Sequence, residues 1–414
     1  MIQLSYSTFG LTNLPFLEAI DAVARAGYAG VELSFHREQF NPFDLDDADL
    51  DAVRARLEAA RIVPACVATA SHFFTPQRPH EPSLMSLDVA GRKRRIDLIR
   101  RGIRVARRLG VRLVTFGSGF LREEHVRPPQ VDPGELLAES IRECLRELRD
   151  DEDITLLIEP EPGMYVETLA QGLALIRAVG SPRFALHIDI CHAYCSEPDY
   201  LGALAQAAPH ARYLHISDAR AGHNLRIVHD HAVPDSPALE AASTLVYFDD
   251  TADYLLLDRR HPLYFADRAP DPARRRRIDA LLAQAGIDRP AGLVDYGSLY
   301  AGTSPLDDEI FTYLISVPGL SFDVLERARP IVAHLRGVRG PALFERMVAN
   351  TRTGIVHFHE IPGEGTLDLA ASFDALNTHG FDGFGSVELY HHVEGWQRAL
   401  DASYRHLAAI AQPA

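Results

Sequence analysis

Short apolar runs alternate with amphipathic segments along most of this chain, and that rhythm dictates a parallel sheet covered by helices. LSYSTF, GVELS, IVPACVAT, VRLVTFG, ITLLIE, FALHID and RYLHIS read as seven strands. Amphipathic stretches at 47–60, 91–109, 134–149 and 167–179 read as returning helices. An earlier helix is expected with Asn13 as its cap and Pro15 in its first turn. Phe16, Leu17, Ile20 and Val23 form its buried stripe, and Gly27 supplies a left-handed exit. After the seventh run the period fails. Residues 223–355 are irregular and rich in Pro and Asp, with helical stretches at 271–285 and 322–349. LDLAASFDALNTHGFDGFGSVELY then restores the rhythm as a helix and an eighth strand. Eight such units imply a closed (β/α)8 TIM barrel with a large insertion after strand 7. The expected organisation is 1–222 for strands 1–7, 223–355 for an inserted, partly helical domain near the mouth, and 356–414 for the last helices and strand 8.

The length of 414 residues suits a barrel of about 250 residues plus an addition. Acidic residues number 57 against 42 basic ones, and the resulting charge of −15 argues against nucleic acid or an anionic membrane as partner. The start MIQLSYSTFG lacks a basic segment followed by an apolar run, and no stretch approaches the roughly 20 apolar residues of a membrane span. A cytoplasmic protein is expected. Cys66, Cys144, Cys191 and Cys195 are too sparse for a disulfide scaffold and read as reduced core fillers. The basic run from Gly91 to Gly110 carries Ile96, Ile99, Ile103 and Ala106 on one helical face, so its cations are expected on the outside. Neither a phosphate loop nor a dinucleotide fingerprint is present.

Glu159, Asp189, His215 and Glu388 stand where four apolar runs stop. The C-terminal strand ends of such a barrel converge on one mouth, so residues far apart in sequence meet there. Carboxylates crowded into one mouth repel unless protons or a cation neutralise them. Three oxygen donors and one nitrogen favour Mn²⁺, Co²⁺ or Mg²⁺, with Zn²⁺ also compatible. A faint internal echo accompanies this set: AGYAGVEL near the start and HGFDGFGSVEL near the end share a glycine turn, a strand and a glutamate.

IDICH, LHISD and the run IPGEGTLDLAASFDALNTHGFDGFGSVEL resemble the xylose-isomerase-like barrel family of sugar isomerases and epimerases, which also includes apurinic endonucleases. The resemblance spans 1–222 and 356–410. It implies that Glu159, Asp189, His215 and Glu388 bind a divalent metal, that Glu159 and Glu388 also act as acid and base, and that His192 faces substrate or a second metal. The expected activity is isomerization or epimerization of a sugar, ketose or cyclitol by proton transfer through a metal-held enediolate. His72, His359 and Arg220 are further candidates for contact with a small polyhydroxylated substrate. Glu161 in EPEPG either faces inward or shapes a proline-fixed loop.

Three alternatives stand beside this reading. A metal-dependent dehydratase of a keto-cyclitol or dehydroshikimate-like acid begins with the same proton abstraction. An apurinic endonuclease-like phosphodiester hydrolase would need histidines after strands three and four and an Asp-x-His; the chain offers His72, but strand four ends VTFGSG and the last motif reads His357-Phe358-His359. A non-catalytic metal-bearing scaffold is the third. Whether the chain forms a homo-oligomer stays open. Replacing 224–354 by a short linker is expected to leave a folded barrel with altered substrate selection, and steady-state kinetics identical to the full chain would refute a covering role for that segment.

Overall fold

In the computed structural model the described residues are 2–69, 73–74, 80–119, 125, 131–162, 164–221, 247–248, 253–254, 355–390 and 392–411. Eight strands close a parallel barrel: β1 (Ile2–Ser7), β2 (Gly30–Ser34), β3 (Val63–Ala68), β4 (Leu113–Gly117), β5 (Thr155–Glu159), β6 (Phe184–Asp189), β7 (Ala211–Ile216) and β8 (Gly383–Val387). Each strand pairs with its neighbour in sequence, and β8 closes on β1 from Ile2↔Gly383 to Tyr6↔Val387. Helices α1 (Phe16–Arg25), α2 (Asp47–Ala60), α3 (Val89–Leu109), α4 (Pro133–Leu145), α5 (Leu169–Val179), α6 (Ile190–Ser196), α7 (Tyr200–Ala207), α8 (Leu369–Thr378) and α9 (Trp396–Ala411) complete the barrel unit.

Internal contacts divide the chain into two units. Met1–Phe120, Val131–Ala219 and Phe358–Ala414 form the barrel unit, and Leu121–Gln130 with Arg220–His357 form the other. In the second, Tyr247–Phe248 and Asp253–Tyr254 make a short antiparallel pair. The helical stretches expected at 271–285 and 322–349 lie outside the described residues.

Local sequence explains the element ends. Asp46 and Asp49 form a reciprocal capping box at the start of α2, and Thr168 with Gln171 does the same for α5. Gly110 and Gly180 end α3 and α5 in the left-handed region, at φ 73° and 69°. Two expectations are corrected. Asn13 does not cap α1, which begins three residues later behind Pro15; its amide N–H instead donates to the Val393 carbonyl at 3.0 Å, tying the loop after β1 to the loop after β8. Nor do all cations of α3 lie outside. Arg95 is buried, and its Nε donates to the Pro82 carbonyl at 2.8 Å, which lowers the cost of hiding the guanidinium.

Helices and strands enclose one large apolar layer that includes Ile20, Leu33, Ile99, Ile141, Leu186 and Phe373. Inside the barrel, Ala65, Cys66, Leu157, Ala185 and Tyr213 form a separate small cluster with Leu113 and Phe384 against it. Side chains of one strand alternate between these two layers. Inward positions therefore run Leu157–Glu159 on β5, Ala185–His187–Asp189 on β6, Tyr213–His215 on β7, and Phe384–Ser386–Glu388 along and just past β8. Apolar filling at one end thus gives way to ionisable groups at the mouth. The four cysteines are all free and buried.

Directly after β7, Asp218 secures the chain's return. Its Oδ1 accepts from the N–H groups of Ala219 (2.8 Å) and Leu367 (3.0 Å), and its Oδ2 from Gly363 (2.9 Å) and Gly365 (3.0 Å). Gly363 sits at φ 90°, and a Cβ on Gly365 would collide with this carboxylate. The glycines of IPGEGT are thus there to wrap a buried anion. Asp218→Ala is expected to destabilise the barrel by about 2–4 kcal/mol in chemical denaturation, because several donors lose their acceptor at once; a change below about 0.5 kcal/mol would contradict this role.

Candidate metal centre at the barrel mouth

The pleat delivers the four proposed ligands from adjoining strand ends. Glu159 closes β5, Asp189 closes β6, His215 is the penultimate residue of β7, and Glu388 follows β8 with its N–H donating to the Ile216 carbonyl at 3.3 Å. Asp189 and His215 are direct register partners, as are His215 and Ser386. A register shift between Leu186 and His187 falls beside them, and such irregularities re-aim side chains at active sites.

His215 Nδ1 is the geometric centre of the group. It lies 3.1 Å from Glu159 Oε1, 3.4 Å from Glu388 Oε2 and 3.9 Å from Asp189 Oδ2. All four residues therefore meet around one point. Asp189 Oδ2 is fully buried and has no hydrogen-bond partner among the described residues, although His192 Nε2 (3.7 Å) and His359 Nε2 (3.8 Å) also stand near it. A desolvated anionic oxygen left without a donor is costly, and a cation at this point would satisfy it. Three carboxylates and an imidazole fit a divalent cation of hard or borderline character.

The electrostatics agree with that fit. Burial, together with Asp189 and Glu161, outweighs His215 and pushes the Glu159 carboxyl up to about 7. Burial also drives Glu388 well above the carboxylate range, with Glu159, Glu32 and Asp189 adding to it and His215 opposing. Burial alone would lower His215, yet Glu388, Glu32 and Glu159 together raise it well above an ordinary imidazole. Protons thus take the place a cation would fill. Because protons on Glu159, Glu388 and His215 must leave before these groups can face a cation, affinity is expected to rise with pH through about 7 and to go on rising while the other two raised groups still hold protons. Calorimetric titration with Mn²⁺ between about pH 5.5 and 8.5 measures this, and a pH-independent affinity would refute it.

His192 and His359 form one side of the pocket. His192 lies in the first turn of α6, where Asp189 Oδ1 accepts its backbone N–H at 3.1 Å. Its Nδ1 is 3.1 Å from the Pro160 carbonyl, and His359 Nδ1 is 3.0 Å from the Glu388 carbonyl. A carbonyl only accepts, so both Nδ1 atoms carry the proton. Their Nε2 atoms lie 3.1 Å apart, so their two lone pairs crowd one another unless the rings share a proton there. Burial first, and mutual repulsion for His192, keep both rings below the ordinary imidazole range. His359 holds its position at φ 46°, a strained angle for a residue with a side chain.

Two buried groups at the site were not expected. Glu32, in the middle of β2, is fully buried; its Oε2 lies 2.8 Å from His215 Nε2, and Ser7 Oγ donates to its Oε1 at 2.7 Å. Burial raises Glu32, but His215, Ser7 and Tyr213 outweigh this and hold it below the usual carboxylate range. His187, two residues before Asp189 on the same face, places Nδ1 2.8 Å from Thr115 Oγ1 and 3.5 Å from Glu159 Oε2. Strand alternation would have found His187, and the shared VEL of the internal echo marks Glu32 opposite Glu388. His72 lies outside the described residues, as does the Arg220 side chain. The imidazole described after β3 is His80, whose Nε2 lies 3.3 Å from Glu161 Oε2, a contact that becomes an ion pair when the ring is protonated.

A family profile described as "Xylose isomerase-like TIM barrel" matches residues 20–240, more than half of the chain. The chain belongs to this family. A solved xylose isomerase-like TIM barrel/4-hydroxyphenylpyruvate dioxygenase fusion protein shares the fold with TM-score 0.50 at 14% identity, covering 98% of this chain and 42% of that one. D-allulose 3-epimerase from Methylomonas sp. aligns over 58% of this chain and 79% of its own, with TM-score 0.42 and 17% identity. AP endonuclease, family 2, from Brucella melitensis aligns over 57% and 84%, with TM-score 0.43 and 19% identity. No curated protein matches the sequence. Among the described residues no helix is long and apolar enough to cross a membrane.

Proposed function

We propose that this chain is a divalent-metal-dependent isomerase or epimerase of a sugar, ketose or cyclitol. The observation that carries the reading is the approach of three carboxylates to within 3.9 Å of His215 Nδ1, with the unpartnered Asp189 Oδ2 among them. Glu159, Asp189, His215 and Glu388 would hold the cation, with Mn²⁺, Co²⁺ or Mg²⁺ preferred by the donor set. When bound, such a cation supplies Lewis acidity toward a substrate carbonyl and its neighbouring hydroxyl, which acidifies the C–H between them.

The protein's own groups divide the remaining work. Glu159 and Glu388 each keep 14% of the side chain exposed, whereas Asp189 and Glu32 keep none. Only the first two can touch a substrate, so they serve as base and acid. They enter the mouth from β5 and β8 with β6 and β7 between them, so one carboxylate can remove a proton from one side while the other returns it from the opposite side. Return to the opposite face of the same carbon gives epimerization, and return to the adjacent carbon gives isomerization. His192 and His359 line the pocket and are proposed to contact substrate hydroxyls. His72 and Arg220 are proposed as further contacts.

Chelation followed by titration of Mn²⁺ should abolish and restore exchange of solvent deuterium into ketoses or cyclitols. Glu159→Gln and Glu388→Gln should each lower kcat by about 10²-fold or more. Full turnover after rigorous metal removal would end the reading. Dehydration of a keto-cyclitol acid in the same assay would move the protein to the dehydratase alternative, and cleavage of an abasic oligonucleotide would favour the hydrolase.

A further inference from the structure

Behind the four proposed ligands lies a continuous buried polar chain. Ser5 Oγ and Ser386 Oγ are 2.5 Å apart, and Tyr213 donates to Ser386 Oγ at 2.6 Å. Tyr213 also reaches Glu32. Glu32 takes Ser7 on one oxygen and His215 Nε2 on the other. Every member is inside the barrel, and every one except Glu32 and His215 is a neutral hydroxyl.

The arrangement fixes the direction of each hydrogen bond at its upper end. A carboxylate only accepts, so at 2.8 Å the proton between Glu32 and His215 belongs to Nε2. With Nε2 protonated and pinned, the lone pair of a neutral His215 ring can only reside on Nδ1, the atom that faces Glu159, Asp189 and Glu388. Ser7 in turn fixes the carboxylate, because its hydroxyl holds the oxygen that His215 does not use. Glu32 therefore stands on the Nε2 side of the imidazole, with its carboxylate also within 4.8 Å of that of Glu388.

We propose that Glu32 is a positioning residue for the metal centre: by accepting from His215 Nε2 it locks the tautomer and ring orientation that make Nδ1 a ligand. This rests on the proposed cation site and deepens it. A carboxylate behind a ligating histidine also increases the donor strength of the ring, and losing such a partner typically weakens metal binding 10- to 100-fold. The sequence places Glu32 for this task through β2 rather than through the β5–β8 strand ends.

The test compares Mn²⁺ affinity of the full-length wild type, E32Q and E32L by calorimetry, with circular dichroism and melting curves to establish that each variant folds. ¹⁵N spectra of the Zn²⁺-loaded proteins report which His215 nitrogen carries the proton. Expected results are wild-type binding with Nε2 protonated, about 10-fold weaker binding in E32Q, where the amide can still accept once, and about 100-fold weaker binding in E32L. Should E32L fail to fold, E32Q decides. Wild-type affinity in folded E32Q would overturn the proposal while leaving the cation site intact. Weakened binding with an unchanged His215 signature would make Glu32 a direct ligand and also overturn it. A wild type that binds no cation would sink the functional reading itself.

Discussion

Closure of the barrel between β1 and β8 is the constraint on which everything at the mouth depends. Ser5 and Ser386 are separated by 381 residues in sequence and touch only because the Ile2–Tyr6 ladder pairs with Gly383–Val387. That seam brings Ser7 and Glu32 up against His215 and Glu388. An open sheet of the same strands would leave β1 and β8 at opposite edges. The ion cluster would then be split into harmless surface charges. Fixing so many distant residues at once has a large entropic cost, which the apolar layer between strands and helices has to offset.

The second consequence of closure is electrostatic crowding in a place largely shielded from water. Glu32, Glu159, Asp189 and Glu388 surround a single imidazole that lies within 4 Å of each of them. Such a cluster opposes folding unless positive charge accompanies it, and the raised carboxyls and raised His215 show protons filling that need. Replacement of those protons by a divalent cation, as proposed, would couple folding, pH and metal binding through the same atoms. Exposure divides the cluster: Glu159 and Glu388 remain reachable, whereas Glu32 and His187, fully buried, can act only through their neighbours.

Much of this was readable in the residues. All eight barrel strands follow from apolar runs, and Glu159, Asp189, His215 and Glu388 were marked because each terminates one. Glu32 escaped the same logic because it lies within GVELS rather than at its end, so its carboxylate looked like a strand residue. Arg95 shows the converse: periodicity placed it among solvated cations, while the carbonyls of Glu81 and Pro82 gave it a reason to go inside. Asn13 had the chemistry of a cap, but the proline after it delayed the helix and left its amide for a distant loop.

By itself the sequence determined the alternation of strands and helices, the apolar packing they require, and the identity of the ionisable groups at four strand ends. These are local properties, set by side-chain periodicity and backbone preference within a few residues. Tertiary structure alone decided that Glu32 faces His215 Nε2, that His192 and His359 oppose their Nε2 atoms, and that Asp218 receives four backbone donors from both sides of a long interval in the chain. Each of those outcomes depends on ångström-scale distances between segments with no sequence proximity, and such distances exist only once the barrel has closed.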